Sequence, residues 1–139
     1  ELFKLLYSFP DGTKCIHGDM QGGNIITDGV KDYWIDLGDF SYGSPAMEFS
    51  TLWHNAVNLG DEKVLDLFHI HDDLQMEFTK LVFKYYYNMD NITESQRQGI
   101  MLRIRRSAVI ELARWMYIVP EEIPEILPVV RSQLEELHL

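Results

Sequence analysis

The stretch CIHGDMQGGNIITDGVKDYWIDLGDF, residues 15–40, gathers into one segment the side chains best able to do chemistry. Asp19 and Asn24 bracket a glycine-bearing loop, and Asp36 closes the run YWI twelve residues past Asn24. Two carboxylates and an amide oxygen brought into one volume make a hard-oxygen site. Such a site suits Mg²⁺ far better than zinc, which prefers nitrogen and sulfur ligands. Mg²⁺ held by a few protein oxygens usually also binds substrate phosphates. A carboxylate left off the metal can orient a hydroxyl and accept its proton. Together these parts describe phosphoryl transfer.

The elements that must position these residues are short. KCI reads as a strand leading into the His-Gly-Asp loop, and NIIT and YWID as two β-prone runs around DGVKD. Asp28-Gly29 is a hairpin signal. SYGSP then breaks the chain. Upstream, residues 2–8 read as the end of a helix and PDG, residues 10–12, as a turn.

Beyond Pro45 the pattern is helical. AMEFSTLWHNAVNL forms one segment, Gly60 and Asp61 cap its end and the next start, and a short helix covers 62–70. Leu74, Phe78, Leu81, Val82 and Tyr85 predict one apolar helix face. Thr93 with Gln96 predicts a capping box opening the longest helix, which runs to about Ile118. A proline-punctuated helical segment ends the chain, its prolines starting turns. The expected fold is mostly α (α+β overall), with one small β-hairpin carrying the polar loops, in a single domain spanning 1–139.

The 139 residues are 46% hydrophobic and 24% charged, as in an ordinary globular protein. A formal net charge of −10 repels phosphate backbones, so nucleic acid is not an expected partner. No apolar run is long enough for a membrane span. The one cysteine, Cys15, excludes an internal disulfide and fits a reducing, cytoplasmic setting.

HGDMQGGN followed by WIDLGD resembles the signature of the aminoglycoside phosphotransferase and choline kinase-like family, whose fold is kinase-like. The resemblance covers residues 15–52 well, and YGSPAMEFSTL is similar to the segment that leads into a helix in that family. It implies the helical C-terminal lobe of an ATP- and Mg²⁺-dependent (or other nucleoside triphosphate-dependent) small-molecule kinase. By that resemblance Asp19 is the catalytic base, Asn24 and Asp36 hold the metal, and His17 organises the loop. Asp39, just past IDLG, reads either as a contact to substrate or a second metal or as a solvated residue.

Two departures stand out. The family's Gly-Asp-Pro reads Gly43-Ser44-Pro45 here, and its following Asp, a buttress of the catalytic loop, is Glu48. A glycine-rich phosphate loop and a strand-borne lysine are also missing, so the resemblance implies an N-terminal nucleotide-binding lobe absent from this chain. The start at Glu1 rather than Met leads to the same expectation: a piece of a longer protein, inactive alone. A pseudokinase or a partner-binding helical module is the alternative, and the Arg-less His-Gly-Asp argues against a protein kinase.

The acceptor is a small-molecule hydroxyl of unassigned identity, for which the acidic charge favours a cationic compound. His54, His69 and His71 lack ligand partners at metal-binding spacing and read as ordinary residues. YYY at 85–87 and RWMY at 114–117 read as helix packing, and RIRRS at 103–107 as a solvated face pairing with Glu.

Overall fold

The computed structural model describes residues 14–138, so the readings of 2–8 as helix and 10–12 as turn lie outside the described residues. The first third holds four three-residue strands: β1 (Lys14–Ile16), β2 (Ile25–Thr27), β3 (Asp32–Trp34) and β4 (Ser41–Gly43). Helices follow: α1 (Pro45–Glu48), α2 (Ser50–Asn58), α3 (Asp61–Phe68), α4 (Asp72–Tyr86), α5 (Glu94–Ile118) and α6 (Ile123–Glu136). The mostly α class expected from the pattern is what the chain adopts.

Two antiparallel ladders, rather than the one hairpin expected, hold the strands. β2 pairs with β3, Ile26 facing Tyr33, across a turn in which Asp28 Oδ1 accepts the Val30 and Lys31 N–H groups at 2.9 and 2.7 Å. β1 pairs with β4, Cys15 facing Tyr42. The segment SYG, read as a chain break, is therefore a strand. Ser and Gly are weak strand formers, but ladder bonds to KCI override that local preference. The break falls one residue later, where Ser44 caps α1 by accepting from Ala46 N.

One core cluster joins Ala46, Phe49, Leu52, Phe83, Met89 and Ile104. A second joins Val109, Leu112, Val130 and Leu137 where α5 meets α6. Burying side chains of this size is worth roughly 1.5–3 kcal/mol each before entropy. Met20, beside Asp19, packs on the first cluster and so anchors the polar loop to the helices. Phe49 meets the Tyr86 and Tyr87 rings edge-on at 4.7 and 5.6 Å, so two tyrosines of the YYY run are packing residues.

α4 buries a different stripe from the one predicted. Gln75, Thr79 and Phe83 are buried, while Leu74 is 51% and Tyr85 76% exposed. Phe78 and Val82 belong to both stripes, so apolarity alone does not rank them. The Thr79 hydroxyl donates to the Gln75 carbonyl at 2.9 Å, which lets a polar residue face α2 at little cost.

The capping box forms as read: Thr93 Oγ1 accepts from Gln96 N, and Gln96 Oε1 accepts from Thr93 N at 2.8 Å. Asp61 does something else. Gly60 is the N-cap of α3, and Asp61 Oδ1 accepts the Asp72 N–H at the start of α4 at 3.0 Å. That bond, then the one to His71, holds the Asp61 carboxyl below its usual range. Pro124 opens α6, but Pro128 sits inside it, where it removes one helix hydrogen bond. No helix among the described residues is long and apolar enough to cross a membrane.

Candidate active site

The two ladders place the polar loops side by side. β1 leads into residues 17–24, and β4 leaves residues 35–40, so pairing Ile16 with Ser41 closes both loops at one end. At the other end β2 and β3 close them again, Ile25 facing Trp34. Two cross-loop bonds complete the frame. The His17 Nε2–H donates to the Ile35 carbonyl at 2.7 Å, and Ile35 N donates to the Asn24 carbonyl at 3.0 Å. His17 also lies against Trp34, ring centres 5.6 Å apart. It thus touches both loops and is placed to order them.

Asp19 is clamped on one oxygen. Its Oδ2 accepts from Gln21 Nε2 at 2.8 Å and Asn24 Nδ2 at 2.9 Å. Asn24 Nδ2 also donates to the Asp19 carbonyl at 2.9 Å. These bonds fix the carboxylate's plane, and among the described residues no donor meets Oδ1. A fixed carboxylate with one oxygen open can receive a hydroxyl proton. Gln21, which the sequence reading passed over, therefore shares in holding Asp19.

Asn24 is buried, and its amide nitrogen is committed to Asp19, which leaves Oδ1 on the other side of the amide as an oxygen ligand. Asp36 stands one residue past the Ile35–Asn24 bond, exposed, in the left-handed region at φ 57°, ψ 64°. Asp tolerates that conformation better than most residues, but it still carries strain of a kind that clusters at ligand-holding sites. The Asn24 and Asp36 side-chain oxygens are hard donors, and this chemistry fits Mg²⁺. Among the described residues no group of three or more His, Cys, Asp or Glu gathers as a metal cage. Mg²⁺ shared with nucleotide phosphates and water needs no such cage.

Glu48 reaches back to the loop, its Oε2 accepting the Gly18 N–H at 3.0 Å. Gly18 has φ +90°, and a Cβ there would sit 2.8 Å from the Asp39 Cβ and closer still to the Asp39 carbonyl. Only glycine allows the two loops to approach this closely.

Asp39 has a partner that the sequence reading missed: Arg114 Nη2 lies 3.5 Å from its Oδ1. Arg114 Nη1 in turn donates to Glu111 Oε2 at 3.2 Å. Burial pushes the Glu111 carboxyl up, Arg114 opposes that, and the charges of Asp39 and Asp19 add to it. Glu111 and Arg114 lie some seventy positions beyond the motif. Their one signal was an i, i+3 charge pair inside α5, which usually marks a solvated face.

A cleft of about 440 Å³ opens here, with Ile16, Gly18, Asp39, Phe40, Glu111 and Arg114 in its wall. Asp19, Asn24 and Asp36 do not line it. A larger groove of about 670 Å³ lies between α2, α5 and α6, walled by Trp53, Met101, Arg105, Pro128 and Glu136, away from the motif.

No protein-family model, curated protein or solved structure matches this chain. The likeness to phosphotransferases thus rests on the sequence of residues 15–52 alone.

Proposed function

We propose that this chain is the helical lobe of a phosphotransferase that moves the γ-phosphoryl group of ATP, or another nucleoside triphosphate, to a hydroxyl of a small molecule. The observation that supports it most is the clamp of Asn24 on Asp19 together with the bond from Ile35 N to the Asn24 carbonyl. Through it the base and both metal-ligand candidates share one frame. Asp19 Oδ1 orients the acceptor hydroxyl and takes its proton as the oxygen attacks. Asn24 Oδ1 and the Asp36 carboxylate would hold Mg²⁺, which neutralises charge on the phosphate oxygens when bound. Gln21 and His17 keep the base and the loops in register, and Glu48 fixes the turn at Gly18.

The lobe needs a nucleotide-binding partner, which in this reading is an N-terminal lobe of the same protein. Ile26, Tyr33, Trp34, Leu37, Phe40 and Tyr42 are all exposed on the strands and loops. Exposed apolar side chains in this number leave area that a packed neighbour would cover. The net charge of −10 favours a cationic acceptor, and the single cysteine a cytoplasmic setting. Asp19→Asn in the full-length protein tests the reading. The expected result is loss of phosphoryl transfer with the melting temperature kept, and an active Asp19→Asn protein would refute it.

A further inference from the structure

We infer that Arg114 is a positioning residue for this reaction: through Asp39 it latches the loop that carries Asp36 onto α5. The role in the reaction rests on the function proposed above, whereas the latch rests on geometry alone.

Asp36, Leu37, Gly38 and Asp39 form one tight turn, closed by Phe40 N donating to the Leu37 carbonyl at 3.2 Å. The turn has little burial to hold it, since Leu37 is 59% and Phe40 55% exposed. Two of its contacts with the rest of the lobe meet at Asp39. On one side the Asp39 backbone presses against Gly18, next to the base. On the other the Asp39 carboxylate faces the Arg114 guanidinium at 3.5 Å. Glu111, one turn earlier on α5, holds that guanidinium through its second nitrogen at 3.2 Å. The triad Asp39–Arg114–Glu111 therefore joins the turn that carries Asp36 to the longest helix.

Both Asp39 and Arg114 are about half exposed, so the pair adds little to global stability. Its effect is local. A turn four residues long, with Asp36 at one end and Asp39 at the other, moves Asp36 whenever Asp39 moves. The same geometry gives Asp39 a structural partner in Arg114.

The test uses the full-length protein with Arg114→Asp, Asp39→Arg and the double reversal. Three readouts are taken: exchange of the Phe40 amide without ligand, the Mg²⁺ concentration that half-saturates transfer, and the melting temperature. Each single reversal is expected to speed Phe40 exchange about three- to fivefold, as loss of a half-exposed ion pair would, with little change in melting temperature. The Mg²⁺ requirement is expected to rise in step. The double reversal restores both, because opposite charges again face each other across the turn and α5, in swapped order. Unchanged exchange in the single variants, or a double variant no better than either single, overturns the latch. Exchange that behaves as expected in a protein with no transfer at any Mg²⁺ concentration keeps the latch but overturns its role in the reaction, together with the proposed function.

Discussion

Glu48 Oε2 accepts the backbone N–H of Gly18 at 3.0 Å, across thirty residues of chain. A carboxylate at the first turn after β4 thus pins the turn that presents Asp19. Asp in this place would have to reach with one methylene fewer, and here α1 carries the longer side chain to the same end. Glu48→Ala is expected to cost about 1–3 kcal/mol by leaving a half-buried N–H without its charged acceptor. Glu48→Gln keeps an oxygen there and should recover part of that loss. Urea unfolding of the three proteins measures it, and equal stability of Glu48→Ala and wild type would remove the buttress.

Gly18→Ala tests the close approach of the two loops. A Cβ at φ +90° is strained and collides with the Asp39 backbone. The expected cost is about 1–3 kcal/mol of stability, with activity falling further as the loops part. Gly29 is the control: it also has positive φ but nothing near its Cβ, so Gly29→Ala should lose stability through backbone strain alone and keep activity. Thermal unfolding and turnover of both variants separate the two effects.

Much of this arrangement was legible in the sequence, and the exceptions share a cause. The capping box at Thr93 and Gln96 and the Asp28-Gly29 turn are local chemistry, complete within four residues, so spacing reveals them. His17, Asp19, Asn24 and Asp36 lie within twenty positions, in the two loops that the short strands close side by side. What stayed hidden depends on partners far along the chain. SYG becomes a strand only because KCI pairs with it. The buried stripe of α4 is chosen by α2, through Leu52 and Thr79. Arg114 belongs to RWMY, read as helix packing, and its role shows only when Asp39 is placed beside it.

Acid should weaken the fold through His54. Burial, then the charge of Lys63, pushes its pKa down to about 4 from 6.5, and Nδ1 lies 3.0 Å from Asn58 Nδ2. Between pH 6.5 and 4 the unfolded chain binds a proton that the folded chain refuses, so stability rises with pH across that window and is lost as pH falls through it. A shift of this size corresponds to about 3 kcal/mol at most. His54→Gln should flatten that limb of the stability curve between pH 4 and 6.5. An unchanged slope would mean that His54 is accessible to protons in the folded protein.

Asp36→Asn separates strain from chemistry. Asn takes the left-handed conformation as readily as Asp, so stability should stay within about 0.5 kcal/mol. Removing the carboxylate should nonetheless weaken Mg²⁺–nucleotide binding by at least about tenfold, equivalent to about 1.4 kcal/mol. Calorimetric titration of the full-length protein measures this, and equal affinity in the two proteins would take Asp36 out of the metal site.

The most direct measurement is phosphoryl transfer by the full-length protein. ATP, Mg²⁺ and a panel of aminoglycosides, amino alcohols and sugars would be followed by mass spectrometry, with Asp19→Asn alongside. The expected result is one acceptor gaining a phosphoryl group, with turnover falling about 10²–10⁴-fold in Asp19→Asn, the range general-base catalysis supplies. A wild type that binds no Mg²⁺–nucleotide and phosphorylates nothing, or an Asp19→Asn protein that transfers as fast as wild type, would contradict a phosphotransferase built on Asp19.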